Sequence, residues 1–209
     1  TNAQIDADRI FLLGHSEGCT IAAALNRRES VRGIIFVAGA AESIKTTVLR
    51  QGEAMANDFR EMTGFKGLLF RLLKVPDKID KQQKSLIKRV NESAEPVLRI
   101  KGQKVNAKWM REHFAYNVID DLEQITCPVL AVTGSKDVQV LPEHAKLFAE
   151  KVNGEAEYVI VDGMNHLLRK QSNPPSYLTL KKDYKESIKK PLDTELVNLI
   201  TSWLEKQIG

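Results

Sequence analysis

The chain has little cysteine, few aromatics and no long apolar run. Two cysteines in 209 residues cannot build a disulfide scaffold. Cys19 and Cys127 also lack the C-x-x-C spacing of a metal or redox site, and both are expected to be buried small side chains. The longest apolar stretches, Ile10–Leu13 and Ile34–Ala38, fall far short of the roughly 20 residues that a membrane-spanning helix needs. No membrane association is therefore expected. No secretory leader opens the sequence, which begins at Thr1, so a cytoplasmic location is the expectation. Neither sign of charge dominates: 31 basic and 27 acidic residues leave a net +4. With 43% apolar and 28% charged residues, the composition is that of a globular protein and excludes disorder or collagen-like sequence.

What is present is a set of short apolar runs at wide spacing. Arg9–Gly14 (RIFLLG), Gly33–Ala38 (GIIFVA), Pro128–Thr133 (PVLAVT) and Tyr158–Val161 (YVIV) each read as a strand buried on both faces. Helical patterns separate them. Ser16–Arg28 has an Ala-rich face, Pro142–Val152 starts with proline, and Asp193–Gln207 places Leu196, Leu199, Ile200, Trp203 and Leu204 at helical spacing. Buried strands alternating with helices predict an α/β fold with a parallel sheet of about four strands.

Residues 42–117 break the alternation. They read as amphipathic helices over Ile44–Glu61, Gly64–Leu73, Lys78–Asn91 and Ala94–Lys101, with a further one over Lys108–Tyr116. This predicts a helical insertion, 42–117, between core segments 1–41 and 118–209. Phe59, Phe65, Phe70, Trp109, Phe114 and Tyr116 are expected mostly to form the insertion's own core and its seam with the sheet. The insertion holds 16 basic and 9 acidic residues, a net +7 against −3 elsewhere. It carries no nucleic-acid motif, and its basic residues are not interleaved with aromatics as a stacking platform would require, so no nucleic-acid partner is expected.

The strongest local signal is Gly14-His15-Ser16-Glu17-Gly18. It fits G-x-S-x-G and lies between a predicted strand and a predicted helix, the context that gives the motif meaning. A tight strand-to-helix turn lifts a hydroxyl above the sheet edge, and Gly14 and Gly18 leave room for it. The backbone N–H of Glu17, at the helix start, points where an oxyanion would form. A serine hydroxyl needs a base. His166 follows the last strand in a Gly-containing loop and is the candidate. His15 lies inside the turn, His113 in the insertion and His144 near a helix start. Asp137 follows the third strand in GSKD and is the candidate acid. Asp162 is a rival expected to shape the His166 loop, while Asp120 and Asp121 precede the strand on the wrong side. The order Ser16, Asp137, His166 differs from the two main serine-protease orders.

With these residues in place, RIFLLGHSEG, CPVLAVTGSKDVQVLPEHA, GMNHLL and LVNLITSWL resemble the α/β-hydrolase superfamily over nearly the whole chain. The resemblance is to its serine esterase/acyl-peptidase or dienelactone-hydrolase-like branch. It implies hydrolysis of carboxylic ester, or in some members amide, bonds in a small-molecule or peptide-like substrate, without metal or other cofactor. Residues 42–117 fall where that family carries a helical cap. The family has further strands before the elbow and a second oxyanion donor from an earlier loop, for which none of residues 1–209 is a candidate. The Arg9–Leu13 strand is then expected to be an exposed edge that pairs with a second copy or with the missing N-terminal half. A different class, a non-catalytic binding module on a hydrolase shell, is the alternative.

Overall fold

A computed structural model describes residues 6–209. Thr1–Ile5, the start of the expected first core segment, lie outside them. The described chain divides into two compact units. The first comprises residues up to Glu42 with Val118–Pro175 and Leu180–Gly209; the second is Ser43–Asn117 with Ser176–Thr179.

The first unit is an α/β layer structure. Its strands are β1 (Phe11–His15), β2 (Gly33–Val37), β5 (Val129–Gly134) and β6 (Ala156–Val161). They form one parallel sheet in the order β1-β2-β5-β6. Sequence and position agree. GIIFV and VLAVTG are buried at every residue and occupy the centre. FLLGH and AEYVIV have exposed positions and form the edges. Helices α1 (Glu17–Arg28), α6 (Val118–Leu122), α7 (His144–Lys151), α8 (Leu180–Ser187) and α9 (Thr194–Ile208) complete the unit. One core cluster joins Ile35, Val37, Leu130, Val132, Val161 and Met164 to Leu196 and Trp203 of α9. Asp193 caps α9 through a hydrogen bond from the Glu195 N–H. Phe148 of α7 stacks on Phe36 with ring centroids 4.4 Å apart.

The second unit holds α2 (Ile44–Glu61), α3 (Gly64–Leu72), α4 (Val75–Glu92) and α5 (Ala107–Ala115), with a two-stranded hairpin of β3 (Val97–Ile100) and β4 (Gln103–Asn106). The hairpin corrects the helix expected over Ala94–Lys101. Its two-residue turn is Lys101-Gly102, both at positive φ, 49° and 82°. Such turns match the twist of paired strands. Two of the six aromatics depart from the expectation made for most of them. Phe59 and Phe70 pair edge-to-face at 5.1 Å, but Phe65 is 80% exposed and Trp109 43% exposed. Among the described residues no helix is long and apolar enough to cross a membrane.

Candidate active site

Because the four strands are parallel, the loops at their C-terminal ends gather on one side of the sheet. Ser16 follows β1, Asp137 follows β5 and His166 follows β6. Ser16 precedes the first residue of α1 with φ 56° and ψ −120°. That strained backbone costs of order 1–3 kcal/mol and is held by its surroundings. The Ser16 N–H donates to the Val37 carbonyl at 2.9 Å, and the Ser16 carbonyl accepts from the Cys19 N–H at 3.1 Å. Gly14 is obligatory here, since a Cβ on it would lie 2.3 Å from the Gly18 carbonyl oxygen. Gly18 is different. A Cβ there meets nothing within 4 Å, so no described residue requires the room expected of it.

Three side chains form one hydrogen-bonded line. Asp137 Oδ1 accepts from the N–H groups of Gln139 and Val140 at 2.8 and 3.0 Å. Its Oδ2 faces His166 Nδ1 at 2.8 Å. His166 Nε2 lies 3.0 Å from Ser16 Oγ. An ionised carboxylate only accepts, so Nδ1 carries the proton and the Nε2 lone pair faces the serine hydroxyl, which donates. Asp137 and His166 are both buried, each 6% exposed. A hydroxyl donating to an imidazole that is oriented by a carboxylate is an arrangement able to generate a serine nucleophile.

Two further residues hold this line, and sequence reasoning did not single out either role. His15 Nε2 donates to the His166 carbonyl at 2.9 Å, and the two rings sit 5.1 Å apart. The residue is exposed, yet its ring is crowded enough that desolvation, the largest influence, lowers its pKa, while the bond to the His166 carbonyl acts the other way. Asn165, 1% exposed, closes the histidine loop. Its Oδ1 accepts from the Leu167 N–H at 3.0 Å, and its Nδ2 donates to Gln171 Oε1 and Ser187 Oγ at 3.1 and 2.7 Å.

The other candidates lie elsewhere. Asp162 accepts from Ser135 Oγ at 3.1 Å, which in turn accepts from the Gly163 N–H at 2.8 Å; it shapes the loop, as expected. Asp121 binds Arg27 at 2.9 Å. His113 Nδ1 lies 3.1 Å from the Trp109 carbonyl within α5. His144 is 3% exposed, and its Nδ1 accepts from the Ala41 N–H at 2.9 Å. Cys19 is fully buried, and burial pushes its thiol pKa up to about 12. Cys127, expected to be buried, is only partly so. Among the described residues no group of three or more His, Cys, Asp or Glu side chains is arranged to hold a metal.

Residues 2–172, which contain the whole hydrogen-bonded line, match the family model described as serine aminopeptidase, S33. The chain belongs to the serine aminopeptidase S33 family of α/β hydrolases. No curated protein matches it. Among solved structures, Est1E from Butyrivibrio proteoclasticus aligns with a TM-score of 0.51 at 19% identity, over 96% of this chain and 62% of its own. Acetyl xylan esterase 1 from Thermoanaerobacterium sp. JW/SL YS485 aligns with a TM-score of 0.52 at 12% identity, over 98% of this chain and 47% of its own. At such identity the likeness is one of fold. This S33-family chain thus spans less than two thirds of the length of either structure.

Proposed function

We propose that the protein hydrolyses carboxylic esters through a serine acyl-enzyme. The observation that carries this reading is the unbroken line from Ser16 Oγ through the His166 ring to Asp137. His166 Nε2 takes the Ser16 proton as Oγ attacks the substrate carbonyl. The negative charge on the tetrahedral oxygen is stabilised by the backbone N–H of Glu17, which opens α1 at the positive end of the helix. His166 then gives the proton to the leaving alkoxide, and the C–O bond breaks to leave an acyl-Ser16. Water, deprotonated by His166, releases the acid. Asp137 keeps the imidazole in the required tautomer and stabilises its cation. The family description, serine aminopeptidase, supports amide bonds as a second substrate class for the same machinery. The hydrolase shell without turnover is the competing reading. With one assigned oxyanion donor, hydrolysis by this chain alone is expected to run roughly 10²–10³ slower than with two.

The test is labelling with a fluorophosphonate, followed by turnover of short-chain nitrophenyl esters. The parent should be labelled at Ser16 and Ser16→Ala should not. Equal labelling of both would remove Ser16 as nucleophile. Labelling without any turnover would favour the binding-module reading.

A further inference from the structure

A shallow, open cleft of about 500 Å³ lies beside the histidine loop, lined by Leu167, Leu180, Lys181, Tyr184, Lys185 and Ile188. All six belong to the first unit. Leu167 directly follows His166, so one wall of the cleft begins a single residue from the imidazole that meets Ser16.

Helix α8, which supplies most of the lining, is tied down by three polar contacts. Asp183 accepts from Asn173 Nδ2 at 2.9 Å. The Tyr184 hydroxyl accepts from Gln139 Nε2 at 2.7 Å, and the Gln139 N–H is itself on Asp137 Oδ1. Ser187 accepts from Asn165. These three contacts link α8 to the loops that carry the acid and the base. Burial pushes the Tyr184 pKa up to about 12, so its ring stays a neutral wall. The side chains lining the cleft at 180, 184 and 188, and at 181, 185 and 188, recur at helical spacing and share a face. The result is an apolar trough with two ammonium groups along it. Neither Lys181 nor Lys185 makes an ion pair among the described residues. The apolar side is open as well, with Ile188 62% exposed.

An apolar trough takes a hydrocarbon arm, and an unpaired cation at its border takes an anion. Resting on the esterase reading above, we propose that the cleft selects soluble esters with a linear acyl chain ending in an anionic group, the chain lying against Leu167, Leu180 and Ile188 and the terminal charge meeting Lys181 and Lys185. The ligand is a free acyl ester and not a lipid surface.

Two kinds of readout test it. In turnover, nitrophenyl hexanoate is compared with the mono-nitrophenyl ester of hexanedioic acid, which differs by the terminal carboxylate. The parent should favour the charged ester by about three-fold in kcat/KM, the worth of one solvent-exposed ion pair. Lys181→Ala/Lys185→Ala should bring that ratio to about one. Ile188→Asp should remove the preference for six-carbon over two-carbon acyl groups. Ratios unchanged in both variants would overturn the proposal while leaving the esterase reading intact. The second readout needs no chemistry. In Ser16→Ala protein, hexanedioate should shift the NMR methyl signals of Leu167, Leu180 and Ile188, and the double lysine variant should abolish the shift. No shift would sink the cleft assignment even if Ser16 is the nucleophile. A shift with no turnover by the parent would sink the esterase reading and keep the anion-ended chain as ligand. Co-sedimentation with anionic phospholipid vesicles that depends on the two lysines, without a hexanedioate shift, would replace the soluble ester by a membrane surface.

Discussion

His15 Nε2 donates a hydrogen bond to the main-chain carbonyl of His166, a contact between residues 151 apart in sequence. The bond joins the turn of Ser16, the proposed nucleophile, to the loop of His166, the proposed base, and it acts on the backbone of His166 and not on Nε2, which faces Ser16. Removing the donor should loosen the approach of Nε2 to Ser16 without touching substrate binding. His15→Phe is expected to lower kcat about ten-fold with KM unchanged, the cost of misplacing a catalytic group. His15→Gln keeps an amide donor and should retain most of the activity. Equal losses in both variants would show that the ring, and not its N–H, is what matters.

The same residue gives stability a pH dependence. Its folded pKa lies below the ordinary 6.5 because burial disfavours the cation. Between the folded value and 6.5 the unfolded chain therefore binds more protons. The contribution is complete above 6.5 and is lost as the pH falls toward the folded pKa. Urea midpoints measured at about pH 7.5 and about pH 5.5 should differ less for His15→Gln than for the parent. An identical pH response in the two proteins would contradict the assignment.

Gly14 and Gly18 look equivalent in the G-x-S-x-G pattern, but they are not. A Cβ on Gly14 collides with main chain that cannot move away, whereas one on Gly18 enters open space. Gly14→Ala should therefore distort the elbow, with a loss of several kcal/mol of stability or failure to fold. Gly18→Ala sits in the first turn of α1 and should be neutral or slightly stabilising, by up to about 1 kcal/mol. Thermal melts of the two variants decide between them, and a similar large loss for Gly18→Ala would show that the surroundings of the elbow differ from those described.

Much of this site was legible because its parts obey local rules. The elbow glycine, the strand before Ser16 and the helix after it are adjacent in sequence. Asp137 and His166 each follow a run that reads as a buried strand, and parallel strands bring their C-terminal ends together. What escaped were features without a local signature. His15 reveals its partner only once β1 and β6 share a sheet, and Asn165 only once its loop closes on Gln171 and α8 packs beside it. The hairpin at Val97–Asn106 did carry a signal, alternating side chains about Lys101-Gly102, but Val97, Leu98 and Ile100 also suit a short helix face. Helix α8 lies in a charged stretch, and its ties to the loops run through the polar side chains of Asp183, Tyr184 and Ser187, whose partners are remote in sequence.

The two thiols should react differently. Cys19 is 0% exposed. Its Sγ donates to the Gly14 carbonyl at 3.1 Å, and its pKa is pushed up to about 12 by burial. It presents almost no thiolate at neutral pH. Cys127 is partly open, and burial raises its pKa too. Native protein should thus consume one equivalent of a thiol reagent slowly, at Cys127, and a second only on unfolding. Mass spectrometry of the labelled peptides checks this, and native modification of Cys19 at a rate like that of Cys127 would show that the elbow opens.

The sheet has two edges, and among the described residues only one is guarded. On β6, Glu157 forms an ion pair with Lys206 at 2.6 Å, and a charge on an edge strand discourages pairing. β1 reads FLLGH, with no carboxylate or ammonium, and among the described residues it pairs only with β2. Leu13 is 56% exposed and Ile10, just before the strand, 41%. On α1, which packs against β1, Ile21 is 60% and Leu25 44% exposed. An unpaired row of main-chain donors and acceptors beside exposed apolar side chains is a template for another strand. The 209-residue chain by itself is therefore expected to associate through β1 in a concentration-dependent way. Leu13→Lys places a charge on that edge at a position already open to solvent, so it should shift the equilibrium to monomer at a stability cost within about 0.5 kcal/mol. Light scattering over a concentration series measures both proteins. A parent that stays monomeric at about 100 μM, where exposed strand edges ordinarily associate, would mean that the edge is self-protected by its twist or by side-chain packing, and the Lys variant would then behave no differently.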